Sequence, residues 1–98
     1  MPTYTLTPQN GVQELRTDQG GETSHDLAIR ADGASPIGTI TITGRKPGST
    51  VFEPIPDATL SLAALKTIRF NGAVTEYRLT ITLLSGVTAL YLTDTASK

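Results

Sequence analysis

The chain offers few residue types that could do chemistry, and its only histidine, His25, is the first candidate. His25 adjoins Asp26, with further carboxylates nearby at Asp18 and Glu22. Together, His25 and Asp26 could bind a metal ion or act as general base and orienting acid. Adjacent residues of a strand, however, point to opposite faces of a sheet. We therefore expect His25 to be a surface side chain beside a polar loop, and not part of a catalytic pair.

Other kinds of reactive site have no sequence pattern to support them. Cysteine is absent, and no serine lies in the Gly-x-Ser-x-Gly elbow of a nucleophilic hydrolase. Most carboxylates stand in turn sequences, where they cap the backbone, so no pair is placed for glycoside hydrolysis. Asp18, Glu22 and Asp32 could offer oxygens to calcium, but their spacing matches no EF-hand loop. We predict a protein without enzymatic activity, and without a metal or a cofactor.

The strongest structural pattern is an alternation of apolar and polar residues over 74–84. The apolar positions are Tyr77, Leu79, Ile81 and Leu83. A period of two indicates a β-strand with one apolar face and one polar face. This strand organises the prediction for the rest of the chain.

Turn sequences and apolar runs flank this strand on both sides. Asn71-Gly72 precedes it and suits a type I′ hairpin turn, and Ser85-Gly86 follows it. An apolar run lies beyond each turn. The sequence therefore predicts a three-stranded antiparallel meander over 65–93.

Shorter alternating runs elsewhere complete an all-β prediction, since threonine, a β-branched residue, is the commonest residue of the chain. We predict about seven or eight short strands in a single small antiparallel β-sandwich or barrel. Pro54 and Pro56 predict a stiff connection, residues 60–65 allow at most one helical turn, and 94–98 read as a polar tail. The predicted core residues are Leu27, Ile29, Ile40, Ile42, Leu60, Ile68, Phe70, Leu79, Ile81, Leu90 and Leu92.

Two regions are distinguished along the chain. Residues 1–16 are predicted to form an extended N-terminal arm or edge strands, because prolines bracket the first apolar run. Residues 17–98 form the β-sandwich domain, beginning with a polar surface loop over 17–24.

Composition excludes several classes of partner. The net charge is −1 at neutral pH, which gives no clustered positive surface for nucleic acid. No apolar run approaches the ~20 residues needed to span a bilayer, and no signal peptide is visible at the N-terminus. We expect a soluble protein that binds neither nucleic acid nor membrane.

Two segments carry a resemblance to a known group of proteins. They are Val-Phe-Glu-Pro-Ile-Pro-Asp from Val51 and Ile-Arg-Phe-Asn-Gly-Ala-Val-Thr-Glu-Tyr-Arg-Leu-Thr from Ile68. Over 51–93 the chain resembles small β-rich virion proteins of tailed bacteriophages, of the capsid decoration or cement type. The resemblance implies a structural protein that binds the major capsid protein or other virion proteins and stabilises the shell. It also implies a homo-oligomer within a large assembly, on the capsid exterior, and soluble in the host cytoplasm before assembly.

Adhesion of this kind would use the N-terminal region and its edge strands. The predicted interface residues are Tyr4, Leu6, Val12, Leu15 and Arg16. One alternative is a carbohydrate- or protein-binding β module of a tail fibre, which exposed tyrosines beside carboxylates would favour. Another is a tail or head–tail connector component. A pocket that gathered the histidine with two carboxylates would favour an enzyme.

Overall fold

The computed structural model describes residues 3–16 and 24–97, which form eight strands in two four-stranded antiparallel sheets. The strands are β1 (Thr3–Leu6), β2 (Gly11–Arg16), β3 (Ser24–Asp32), β4 (Ile37–Arg45), β5 (Phe52–Ser61), β6 (Ile68–Asn71), β7 (Glu76–Ser85) and β8 (Ala89–Ser97). The first sheet has the order β1-β8-β3-β6 and the second has the order β2-β7-β4-β5. The all-β prediction is confirmed, and of the two forms left open, sandwich and barrel, the structure is a sandwich. The predicted polar loop lies outside the described residues, apart from Ser24.

Successive strands alternate between the two sheets, except for the hairpin that joins β4 and β5. This order is that of an eight-stranded jelly roll, in which two Greek keys wrap around one core. Every strand of one sheet therefore packs its inner face against the other sheet, and the apolar residues of both fill the space between.

The predicted three-stranded meander is wrong. Its three strands exist, but β6 pairs with β3, β7 pairs with β2 and β4, and β8 pairs with β1 and β3. A type I′ turn needs positive φ at both central residues, yet Asn71 continues β6 and only Gly72 has a positive φ, of 132°. The chain leaves Asn71 across the sandwich and does not fold back beside β6.

Residues 3–16 supply one edge strand to each sheet. β1 pairs only with β8, and β2 pairs only with β7 among the described strands. The two strands do not run back along each other, because the chain changes sheet between them.

The core lies between the sheets and contains nearly all of the predicted residues. Phe70 is half-buried and packs against this core, whereas the others of the predicted set are buried. Tyr77, which the alternation placed on an apolar face, is buried as well. The buried apolar side chains that the sequence pattern did not identify are Leu6, Ile55, Ala58, Leu62 and Val74.

The strand boundaries correct two local predictions and agree with a third. Pro54 and Pro56 belong to β5 and not to a connection, and the strand tolerates them because it is an edge strand. Residues 60–65 stay within the limit of one helical turn, because β5 continues to Ser61 and a single turn follows. Asp94 lies within β8 and not in a polar tail, since its backbone pairs with Leu27.

Candidate functional site

His25 lies on the inner face of β3 and is fully buried, so the predicted surface position is wrong. It shares the phase of Leu27 and Ile29, both of which point into the core. Asp26 points to the opposite face, where the Nε atom of Arg69 donates to its Oδ1 at 2.8 Å. The sequence argument that separated His25 from Asp26 therefore holds, although it assigned the histidine to the wrong face.

His25, Tyr77 and Asp94 form a buried polar cluster that links the two sheets. The hydroxyl of Tyr77 donates to Oδ2 of Asp94 at 2.9 Å. Nδ1 of His25 lies 3.0 Å from Oδ1 of Asp94 and 3.3 Å from the hydroxyl oxygen of Tyr77. The ring of Phe70 stacks on the imidazole, with centroids 4.9 Å apart and planes 8° apart. The carboxyl group of Asp94 is thus the shared acceptor that holds β3, β7 and β8 together.

The buried polar cluster is closed to a substrate in this conformation. Its three side chains have no exposed surface, and only one of them is a carboxyl group. Within residues 3–16 and 24–97, no group of three histidine, cysteine or acidic side chains is placed to hold a metal ion. A buried polar group costs free energy unless it is hydrogen-bonded, so the mutual bonds of the cluster explain how the core accepts it.

Burial strongly raises the pKa of Tyr77, and the neighbouring charge of Asp94 and its hydrogen bond raise it further. The folded protein therefore keeps this hydroxyl protonated above pH 10, where an unfolded chain loses the proton. The contribution of Tyr77 to the free energy of unfolding is fully present below the ordinary pKa of tyrosine, and it decreases as the pH rises above that value. We expect Tyr77→Phe to show a shallower loss of stability above pH 10 in urea unfolding. Equal slopes for the two proteins would contradict this.

The structure separates the predicted interface residues. Leu6 is buried in the core and only 4% exposed, so its predicted contact with a partner is corrected. Tyr4 and Leu15 are half-buried, and Leu15 packs against the core. Val12 and Arg16 are exposed on β2, with 61% of Val12 accessible. The fully exposed residues of the predicted interface therefore both lie on β2.

Among the four edge strands, β2 has the fewest features that block pairing with another chain. β1 and β6 have four residues each, and β5 contains two prolines and a register shift. β2 has six residues, no proline, and an unbroken register with β7. Short strands, prolines and bulges are the usual protection of a sheet edge. β2 lacks all three.

The charges of β2 are paired within its own sheet. Nη2 of Arg78 lies 2.9 Å from Oε2 of Glu14, and Nη2 of Arg16 lies 3.6 Å from Oε1 of Glu76. These pairs leave little net charge along the strand to repel an added strand.

Leu83 departs from the alternation that predicted it on the apolar face of β7. Its φ is +57° and 79% of it is exposed, whereas the next residue, Leu84, packs against the core. The register between β4 and β7 shifts near this point, where Gly38 has a φ of 149°. A bulge of this kind redirects side chains. It leaves Leu83 exposed, and the neighbouring strands β2 and β4 also carry exposed apolar residues, Val12 and Ile37.

Tyr91 does not expose an uncovered ring on which a sugar could stack. Tyr91 is half-buried, and the guanidinium of Arg30 covers its ring at 5.5 Å from the centroid. The arrangement that would favour a carbohydrate module through this residue is therefore not present on the first sheet.

No protein-family model, no curated protein and no solved structure matches this chain. Within the part of the chain that the structure describes, no helix is long and apolar enough to cross a bilayer. The fold and surface define a small jelly-roll protein in which, among the described residues, the outer edge of β2 has no strand paired with it.

Proposed function

We propose that this chain is a non-enzymatic structural protein of a tailed-bacteriophage virion, of the capsid decoration or cement type. The observation that carries the proposal is the edge strand β2, which pairs only with β7 within the described part of the chain, together with the exposed, strained Leu83 on β7. Jelly rolls occur among viral capsid domains, which is support by analogy of fold. The resemblance of residues 51–93 to phage virion proteins points the same way.

The attachment would use β-strand addition. An extended segment of a capsid protein, or of a second copy, pairs with the free backbone groups of β2, and Val12 supplies an apolar contact. Each such contact is weak, because the strand is short. Many copies on one shell raise the overall strength without any further contact.

Strain at Leu83 predicts that a residue tolerating positive φ will stabilise the fold there. Leu83→Asn should raise the free energy of unfolding by about 0.5–1 kcal/mol, because asparagine tolerates positive φ and little packing is lost. Val12→Asn is the matched control, since Val12 is also exposed but has no positive φ. Urea unfolding measures both. A lower midpoint for Leu83→Asn would contradict the assignment of strain.

Cosedimentation with capsid shells tests the proposed function. Shells of the phage that encodes the chain, assembled without it, are mixed with the purified protein and pelleted. We expect saturable binding at a fixed number of copies per capsomer and greater resistance of the shells to heat. Val12→Lys should weaken binding, whereas Thr59→Lys places the same charge on the opposite edge strand, β5, and should not.

Two results would contradict the proposal. One is pelleting no greater than that of an unrelated β protein of the same size. The other is equal loss of binding in Val12→Lys and Thr59→Lys. Binding to isolated tails or connectors, and not to shells, would assign the protein to the tail or connector of the virion.

A further inference from the structure

A groove of about 320 Å³ lies where the edge strands β5 and β6 of the two sheets come together. It is formed by the end of β4 with the adjoining Lys46, the first half of β5, the end of β6 and the segment that follows β6. The side chains and backbone that matter to its chemistry are those of Lys46, Glu53, Phe70, Asn71 and Gly72. Its volume is at the lower end of the range for small-molecule sites.

The apolar wall of the groove is held in place by the buried polar cluster. Phe70 stacks on His25 and meets the ring of Tyr77 edge-on, with centroids 6.5 Å apart. The ring is half-buried, and it also lines the groove. Because His25 and Tyr77 already hold the Phe70 ring in place, a ligand that packs on the ring does not have to pay the entropy of ordering it.

The rim of the groove offers hydrogen-bonding groups of both kinds with little net charge. Nζ of Lys46 lies 3.3 Å from Oε2 of Glu53, and both side chains are more than half exposed. The ammonium supplies donors, the carboxylate supplies acceptors, and the exposed amide of Asn71 supplies both. A Cβ on Gly72 would meet nothing within 4 Å, so a ligand can approach the backbone there.

We propose that this groove binds a neutral, hydroxyl-rich ligand, namely a pyranose unit of a glycan. The apolar face of a pyranose packs on an aromatic ring, and its hydroxyl groups each need a donor and an acceptor. An anionic or cationic ligand would have to displace one member of the Lys46–Glu53 pair. The inference goes beyond shell attachment, because β5 and β2 are opposite edges of the second sheet.

Nuclear magnetic resonance tests the site on the intact protein. The probes are glucose, galactose, mannose and N-acetylglucosamine in the millimolar range, with glucuronate and glucosamine as charged comparisons. We expect at least one neutral sugar to shift the amide signals of Phe70 and Asn71 saturably. The ring signals of His25 should move with them, and they are unambiguous because the chain has one histidine.

Variants separate the groove from the rest of the surface. Asn71→Ala and Lys46→Met should each weaken binding about tenfold, the size expected for one lost hydrogen bond to a ligand. Thr82→Ala is the control, because Thr82 is exposed and pairs with the far end of β4 at Thr39. It should bind as the natural chain does.

Three outcomes would overturn the inference. They are the absence of a saturable shift with every neutral sugar, unchanged binding in both groove variants, and binding of the charged sugars alone. Shell binding through β2 is measured separately, so failure of the glycan site leaves the proposed function untouched, and the reverse also holds.

Discussion

Replacing Asp94 with alanine is expected to lower the free energy of unfolding by about 3–5 kcal/mol. The carboxyl group is fully buried and accepts from Tyr77 while pairing with His25, so its removal leaves both partners in the core without their shared acceptor. A domain of this size has about 5–15 kcal/mol in total, and the variant should be largely destabilised. Urea unfolding followed by far-ultraviolet circular dichroism measures the loss.

Asp26→Ala is the matched control, because Asp26 is on the same pair of strands but faces outward toward Arg69. Exposed ion pairs contribute little, so its effect should be a small fraction of that at Asp94. Tyr77→Phe should cost about 1–2 kcal/mol, since it removes the hydrogen bond to Asp94 and the longer contact with His25 but keeps the ring. Equal losses for Asp94→Ala and Asp26→Ala would contradict the role of the buried polar cluster.

Gly33→Ala is expected to cost about 2–5 kcal/mol, from steric overlap together with backbone strain. A Cβ on Gly33 would lie 2.0 Å from the carbonyl oxygen of Gly86, where φ of Gly33 is +147°. The loops after β3 and β7 touch there backbone to backbone, and the amide of Thr88 donates to the carbonyl of Asp32 at 2.7 Å. Thermal unfolding measures the effect.

Gly11→Ala separates the two causes. Gly11 also has a positive φ, of +128°, but a Cβ there would meet nothing within 4 Å. We expect a loss of about 1–2 kcal/mol from its backbone conformation alone. If the two variants lost the same stability, the close approach of the two loops would not be the reason.

The alternation of residues in the sequence indicated that His25 and Asp94 face inward, although their polarity suggested surface positions. His25 is in phase with Leu27 and Ile29, and Asp94 is in phase with Leu92. Alternation therefore places both side chains inward. Polarity argued for the surface, and only the geometry shows that each side chain satisfies the other.

Strand pairing could not be predicted from the same pattern. Alternation identifies a strand and its apolar face, but it does not say which strand lies beside it. The sequence Asn71-Gly72 is typical of a hairpin turn, which would place β6 and β7 side by side. In the structure the chain instead crosses to the other sheet at this point. The exposure of Leu83 could not be predicted either. A bulge shifts the alternation of inward and outward side chains, and it has no distinctive sequence.

Hydrogen exchange of the β2 backbone tests the central claim, which is that the chain adheres through this edge. Amide exchange is compared for the free protein and for the protein bound to capsid shells, with the opposite edge strand β5 as the internal control. We predict that amides of β2 become protected on binding while those of β5 exchange as before. Unchanged exchange in β2, with protection elsewhere on the sandwich, would contradict it.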